Sequence, residues 1–202
     1  MKFLSKYINY LFTIIRFTFT VLLHKYCILI TGLQINKKLK GSNLSIPLIR
    51  LLKHDLSKFS FSEFWSYASF YYGDKDQHKY EKAWLHHLRA NDHHWEHYIV
   101  NYTIGMNVDL CSQNALEMKN EAILEMATDW LSAERAYKGR WPIPGQWVWA
   151  QNSVNKIGMN PISKKKFFAL LAFLGFGADI KEVFIEKLEG NVNLLENLYK
   201  KK

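Results

Sequence analysis

Cysteine is scarce in this chain: Cys27 and Cys111 are its only two, and no Cys-x-x-Cys pair occurs. That excludes a disulfide framework and a zinc knuckle. A reducing, cytoplasmic setting is the expectation. There are four prolines in 202 residues, all at segment edges or in loops. Strict apolar–polar alternation and Asn-Gly hairpin signals are missing, which argues against a β-sheet protein. No internal repeat is visible. Long uncharged runs are missing too. Lys6, Arg16, His24 and Lys25 interrupt the apolar N-terminal segment, leaving residues 7–15 and 26–36 as its longest uncharged stretches. A membrane span needs about 20 mostly apolar residues, and no small-residue cleavage site follows. One or two buried helices and no transmembrane span are expected; association with a membrane surface is the alternative.

What is present fits a helical domain. Hydrophobic residues make up 49% and aromatics 15% of the chain, enough for a core. The periodicity predicts an all-α protein. Expected helices cover residues 4–32, with Gly32 as the stop, and 45–53, with Ser45 as N-cap and Pro47 in the first turn. Further helices are expected over 60–72, opened by the Ser60-x-x-Glu63 capping box, and over 78–90. The chain breaks or continues at Asn91-Asp92. A long amphipathic helix is expected over 112–138, and shorter ones over 146–156, 163–173 and 180–199. The net charge of +9 and the pI of about 9.4 favour an anionic partner. Lys164-Lys165-Lys166 and Lys200-Lys201-Lys202 are basic runs that read as solvated faces. No nucleic-acid-binding motif is present, so nucleic acid is a partner class without a supporting module. A homodimer is compatible with the composition.

Six of the eight histidines lie between His78 and His97, and a seventh, His54, sits beside an acid in His54-Asp55-Leu56-Ser57-Lys58. Neutral imidazole is the commonest protein metal ligand. Adjacent side chains on a helix point about 100° apart, so His54 and Asp55 can share one ion only at a helix end or bend. Lys58, three residues on, is suited to a phosphate oxygen. His24 and Asp129 are polar residues in otherwise apolar helices, and a buried carboxylate needs a cation or strong hydrogen bonds. If residues 84–97 are helical, His87, Asn91 and His94 share a stripe, with His86, His93 and His97 on another. A break at Asn91-Asp92 would let Asp92 cap a new helix and bring His93 and His94 back toward the site.

The order His24, His54-Asp55, Asp129 on separate helices resembles the HD superfamily of metal-dependent phosphohydrolases. The string His54-Asp55-Leu56-Ser57-Lys58 is similar to the His-Asp-x-Gly-Lys string of its cyclic-dinucleotide phosphodiesterase branch. Ser57 stands where that branch has Gly, and the Gly-Tyr-Pro loop of that branch is absent. The chain also resembles an uncharacterised family of phage and bacterial genomes in three stretches. These are His54 through Phe64, Ala83-Trp84 through His93-His94-Trp95, and Asp129-Trp130. The resemblance implies an HD-like helical bundle over residues 1–165 with a basic C-terminal helical extension over 166–202. It implies metal ligation by His24, His54, Asp55 and Asp129, with His87 and His94 holding a second ion. His93 and Asn91 are the second choices. One or two ions of Mn, Fe, Ni, Co or Zn suit this ligand set. Asp55 and Lys58 are the expected catalytic residues, Arg89 or Arg135 could help balance phosphate charge, and Glu63 or Glu96 could orient a histidine. The implied substrate is a nucleotide or other small phosphoester. The alternatives are a di-iron oxygen-activating enzyme of the same type and a non-catalytic, metal-stabilised binding protein.

Overall fold

The computed structural model describes the backbone of residues 2–100, 108–180 and 188–200, with side chains from Ile8 onward. The described residues form ten α-helices, joined by short 3-10 turns, and no strand; an isolated bridge links Ile99 and Ala115. The protein is all-α, as expected.

The central pair is α1 (Lys2–Lys38) and α6 (Asn120–Lys138), which lie along each other. A buried hydrogen bond from Ser132 to Thr31, 2.9 Å, pins them together between apolar side chains such as Ile28, Ile123 and Ala127. On one side of α1 lie α2 (Leu48–Lys53), α3 (Phe64–Tyr72) and α4 (Gln77–Ala90). Phe17 of α1 meets Phe64 and Tyr67 of α3 there, forming a small second core. After α5 (Val108–Asn114) and α6 come α7 (Val148–Ser153) and α8 (Pro161–Phe173). Next are α9 (Gly177–Ile180) and α10 (Val192–Lys200). α8 runs without interruption through residues 165–166, and Phe167, Leu170 and Leu171 belong to the same core as α1 and α6.

Several sequence expectations need correction. Gly32 does not end the first helix, which continues to Lys38. Its role is a close approach: a Cβ there would lie 2.4 Å from Leu51 Cδ2 of α2. Nor is α1 buried all round. Ile8, Leu11, Phe12, Ile15, Phe19, Leu22 and Tyr26 are exposed, and the helix is long and apolar enough, by length and composition, to cross a membrane. Pro47, not Ser45, precedes α2. The Ser60–Glu63 capping box does not form. The Ser60 carbonyl accepts from the Glu63 and Phe64 N–H groups, while the Glu63 carboxylate turns to two histidines. The helix expected over 112–138 is broken into α5 and α6 by residues 115–119. Lys166, expected on a solvated face, is buried and donates to Glu117 and Asn120 at 2.7 and 3.1 Å. Of the helix expected over 180–199, residues 181–187 lie outside the described residues, residues 188–190 form a turn, and the helix α10 starts only at Val192.

Candidate metal centre

His54 and Asp55 lie outside any helix, between the end of α2 and the 3-10 turn Leu56–Phe59. Asp55 adopts the left-handed conformation (φ 56°, ψ 19°), which Asp tolerates better than most side chains. This bend lets neighbouring side chains converge. Lys25, next to His24 on α1, fixes it by donating to the carbonyls of Leu52 (2.9 Å) and His54 (2.6 Å). A cation at the carbonyl end of a helix is favourable.

Around Asp55 the structure builds two groups of possible metal ligands, and a third, His54, His93 and Glu125, overlaps both. His24, His54 and Asp129 form one: His24 Nε2 lies 3.0 Å from Asp129 Oδ1 and 3.3 Å from His54 Nε2. Asp55 Oδ2 is 3.7 and 3.5 Å from the two imidazoles. Asp55, His87, His93 and His94 form the other. Asp55 Oδ1 lies 3.3 Å from His87 Nε2 and 3.6 Å from His93 Nε2. The two oxygens of Asp55 therefore face different imidazole sets.

The donor set fits a metal. Asp55 Oδ1, His93 Nε2 and His94 Nε2 are buried without a hydrogen-bond partner, and all three belong to the second group. Orphaned buried polar atoms are costly, and a shared cation would satisfy them together. Burial, reinforced by neighbouring histidine charges, holds His93 far below the ordinary histidine range and His94 down at about 3. Both are thus neutral, the form that ligates. Burial would raise the Asp55 carboxyl, but His54, Lys58, His87 and His93 outweigh it and hold it well below the usual range.

Two carboxylates behind the imidazoles set their orientation. The Nδ1–H of His54 donates to Glu125 Oε1 at 2.9 Å, and His93 Nδ1 lies 3.5 Å from the same oxygen. Arg50 holds Glu125 Oε2 at 2.7 Å, and its other nitrogens bind Asp92. Glu63 accepts from His87 at 2.9 Å and from His86 at 2.7 Å. With Nδ1 engaged, Nε2 of His54 and His87 faces inward, as in many metal sites.

The histidine cluster works differently from a helical stripe. α4 ends at Ala90, Asn91 follows in extended conformation, and the chain turns back so that both His93 and His94 reach the site. Asp92 binds Arg50 instead of capping a helix. Asn91 falls in neither ligand group; it donates to Ser57 Oγ and to the His87 carbonyl, both at 2.8 Å. His86 is exposed and pairs with Glu63, His97 bonds the Leu88 carbonyl, and His78 is exposed. Glu125 went unnoticed in the sequence, although it lies one helical turn before Asp129 in the same apolar surroundings.

A cavity of about 640 Å³ opens over the centre. Asp55, His87, His94 and Asp129 line it, together with Lys58, Lys156 and Glu96. Lys58 Nζ is 2.6 Å from Asp55 Oδ2. Neither Arg89 nor Arg135 reaches the cavity. Its walls are rich in aromatic side chains, with Tyr67, Tyr80, Trp84, Trp95, Trp130 and Trp149 among them. Trp84 also stacks on His87, and Tyr137 on His24.

Fold and centre together define an all-α protein with a buried histidine–carboxylate cluster that could hold a metal ion. The chain belongs to the family of unknown function DUF5662, whose model matches residues 13–172, a span that contains the whole cluster. No curated protein and no solved structure matches it.

Proposed function

We propose that the protein is a metal-dependent phosphohydrolase of the HD type, acting on a nucleotide or similar small phosphoester. The observation that carries this reading is that both ligand groups reach a cavity, through Asp55, His87 and His94 of one and Asp129 of the other. Structural metal sites are closed by protein on all sides, whereas catalytic ones keep a position open. A volume of about 640 Å³ lies within the range for small-molecule sites.

The chemistry supplied by one or two bound divalent ions would be a nucleophile drawn from water at neutral pH and neutralisation of phosphate charge. The chain's own residues do the rest. His24, His54, Asp55 and Asp129 would hold one ion, and His87, His93 and His94 a second, with Asp55 between them. Lys58, at the cavity wall beside Asp55, is placed to bind a phosphoryl oxygen where charge develops in the transition state. Lys156 offers a second cation in the cavity lining. The aromatic walls provide flat faces for a nucleobase or another planar leaving group. Nitrogen and carboxylate ligands suit Mn, Fe, Ni, Co or Zn.

The test begins with metal analysis of full-length protein purified without chelator. A set of phosphomonoesters and phosphodiesters is then screened with wild type and Asp55→Ala. Metal-dependent release of phosphate or alcohol that vanishes in Asp55→Ala is the expected result. Hydrolysis surviving in Asp55→Ala, or failure to take up metal on reconstitution, would sink the reading. Oxygen uptake by iron-loaded protein, with no hydrolysis of any ester, would replace it with oxygen activation at the same ligands.

A further inference from the structure

The outer face of α1 is apolar from Ile8 to Leu33, and its large side chains there are exposed. At about 100° per residue, Ile8, Leu11, Phe12, Ile15, Phe19, Leu22, Tyr26 and Leu33 fall within an arc of about 100°. They form a stripe about 37 Å long at 1.5 Å per residue. Phe19 is 66% exposed, Tyr26 61% and Leu22 53%. The opposite face, with Phe17, Val21, His24, Ile28 and Ile35, is buried against the rest of the protein. α2, tied to α1 through Lys25, adds exposed Leu48, Ile49 and Leu52. Contiguous exposed apolar surface of this kind marks an interaction site.

Charge identifies the partner. Residues 1–54 contain nine of the 27 lysines and arginines and none of the 18 aspartates and glutamates. The remaining chain holds 18 of each, so the net charge of +9 resides entirely in the segment that forms α1 and α2. Arg16 borders the stripe, Lys37 and Lys38 end α1, Lys40 follows it and Lys53 ends α2; all are exposed. An apolar helix face rimmed by cations matches an anionic bilayer surface. A second copy would set two such unbalanced cationic segments against each other. Crossing the bilayer is incompatible with this packing, because His24, midway along α1, belongs to the buried ligand cluster.

We propose that α1, with α2 beside it, is a membrane-surface docking element that lays its apolar stripe into the interface of an anionic phospholipid bilayer while its inner face contributes His24 to the metal centre. The proposal stands whether or not the centre is catalytic.

The experiment is flotation of the full-length protein with vesicles of phosphatidylcholine alone or mixed with phosphatidylglycerol. Binding to the anionic vesicles that weakens with salt is expected. The double variant Phe19→Glu/Leu22→Glu should lose binding while retaining wild-type circular dichroism and metal uptake. Lys37→Gln/Lys38→Gln/Lys40→Gln, which leaves the packed face of α1 untouched, should weaken it by about fivefold for each charge removed. The triple variant also decides the matter if the double variant does not fold. Absence of vesicle binding by wild type, or binding unchanged in the triple variant, overturns the proposal. So does a wild-type dimer that ignores vesicles and dissociates in the double variant, which would make a second copy the occupant of the stripe.

Discussion

Glu125 carries much of the centre's organisation although it lies behind the imidazoles. It holds the His54 Nδ1–H, lies close to His93 and is itself held by Arg50. Replacing such an outer carboxylate typically costs 10–100-fold in metal affinity. Glu125→Gln is therefore expected to weaken Zn²⁺ or Mn²⁺ binding by about that factor, read by calorimetry, while the exposed Glu121→Gln leaves it unchanged. His54 sets the pH dependence. Burial alone would lower its pKa, but Asp55, Asp129 and Glu125 overcome burial and push it up to about 10. At neutral pH the metal-free imidazole holds a proton that an ion must displace. Apparent affinity should thus rise with pH by up to about tenfold per unit below pH 10, with a proton released on binding. A pH-independent affinity would contradict this. In the metal-free fold the same raised value contributes stability that is fully present below the unfolded value of 6.5 and is lost as pH climbs toward about 10. The sequence singles out His24 and Asp129 because polar groups in apolar surroundings need partners, and His54-Asp55 as an adjacent imidazole and carboxylate. The same reasoning extends to Glu125, whose neighbours are equally apolar.

Elements match the sequence expectation where the signal is local: α4 agrees with the expected 78–90 to within a residue, and α8 shares the expected end at Phe173. Their starts rest on caps the sequence reading did not name, Asp76 accepting from the Lys79 N–H and Asn160 with Pro161, the latter two residues before the expected start. Misreadings came where a residue serves a distant partner. Gly32 resembles a helix stop, yet it is there because Leu51 packs against the α1 backbone. Gly32→Ala places a methyl against buried Leu51, and overpacking of this kind costs about 1–3 kcal/mol. Urea denaturation should show that loss, and adding Leu51→Ala should recover part of the coupling as a non-additive double mutant. A Gly32→Ala variant as stable as wild type would mean the α1–α2 contact is looser than the distances imply. Ser60 and Glu63 have the spacing of a capping box, but Glu63 is buried beneath His86 and His87, and that tertiary demand prevails.

At the scale of the whole molecule, the ligand groups tie together α1, the end of α2, α4, the loop after it and α6. An ion bound by side chains so far apart in the chain binds the folded state almost exclusively. At about 100 times its Kd, each ion should stabilise the fold by roughly 2.7 kcal/mol. Thermal unfolding of Mn²⁺- or Zn²⁺-loaded protein should shift upward, and excess chelator should reverse the shift. An unchanged Tm would argue against a shared site.

By itself the sequence determined the helical class, since apolar periodicity and the lack of strand signals are local properties. It also marked the residue types a metal needs. Only the tertiary structure decided that both His93 and His94 turn inward, that Asn91 braces the His87 turn, and that Glu125 stands behind the imidazoles. Those outcomes depend on where a chain reversal at Asn91 and a left-handed bend at Asp55 place side chains from separate helices. No spacing along the chain encodes that distance.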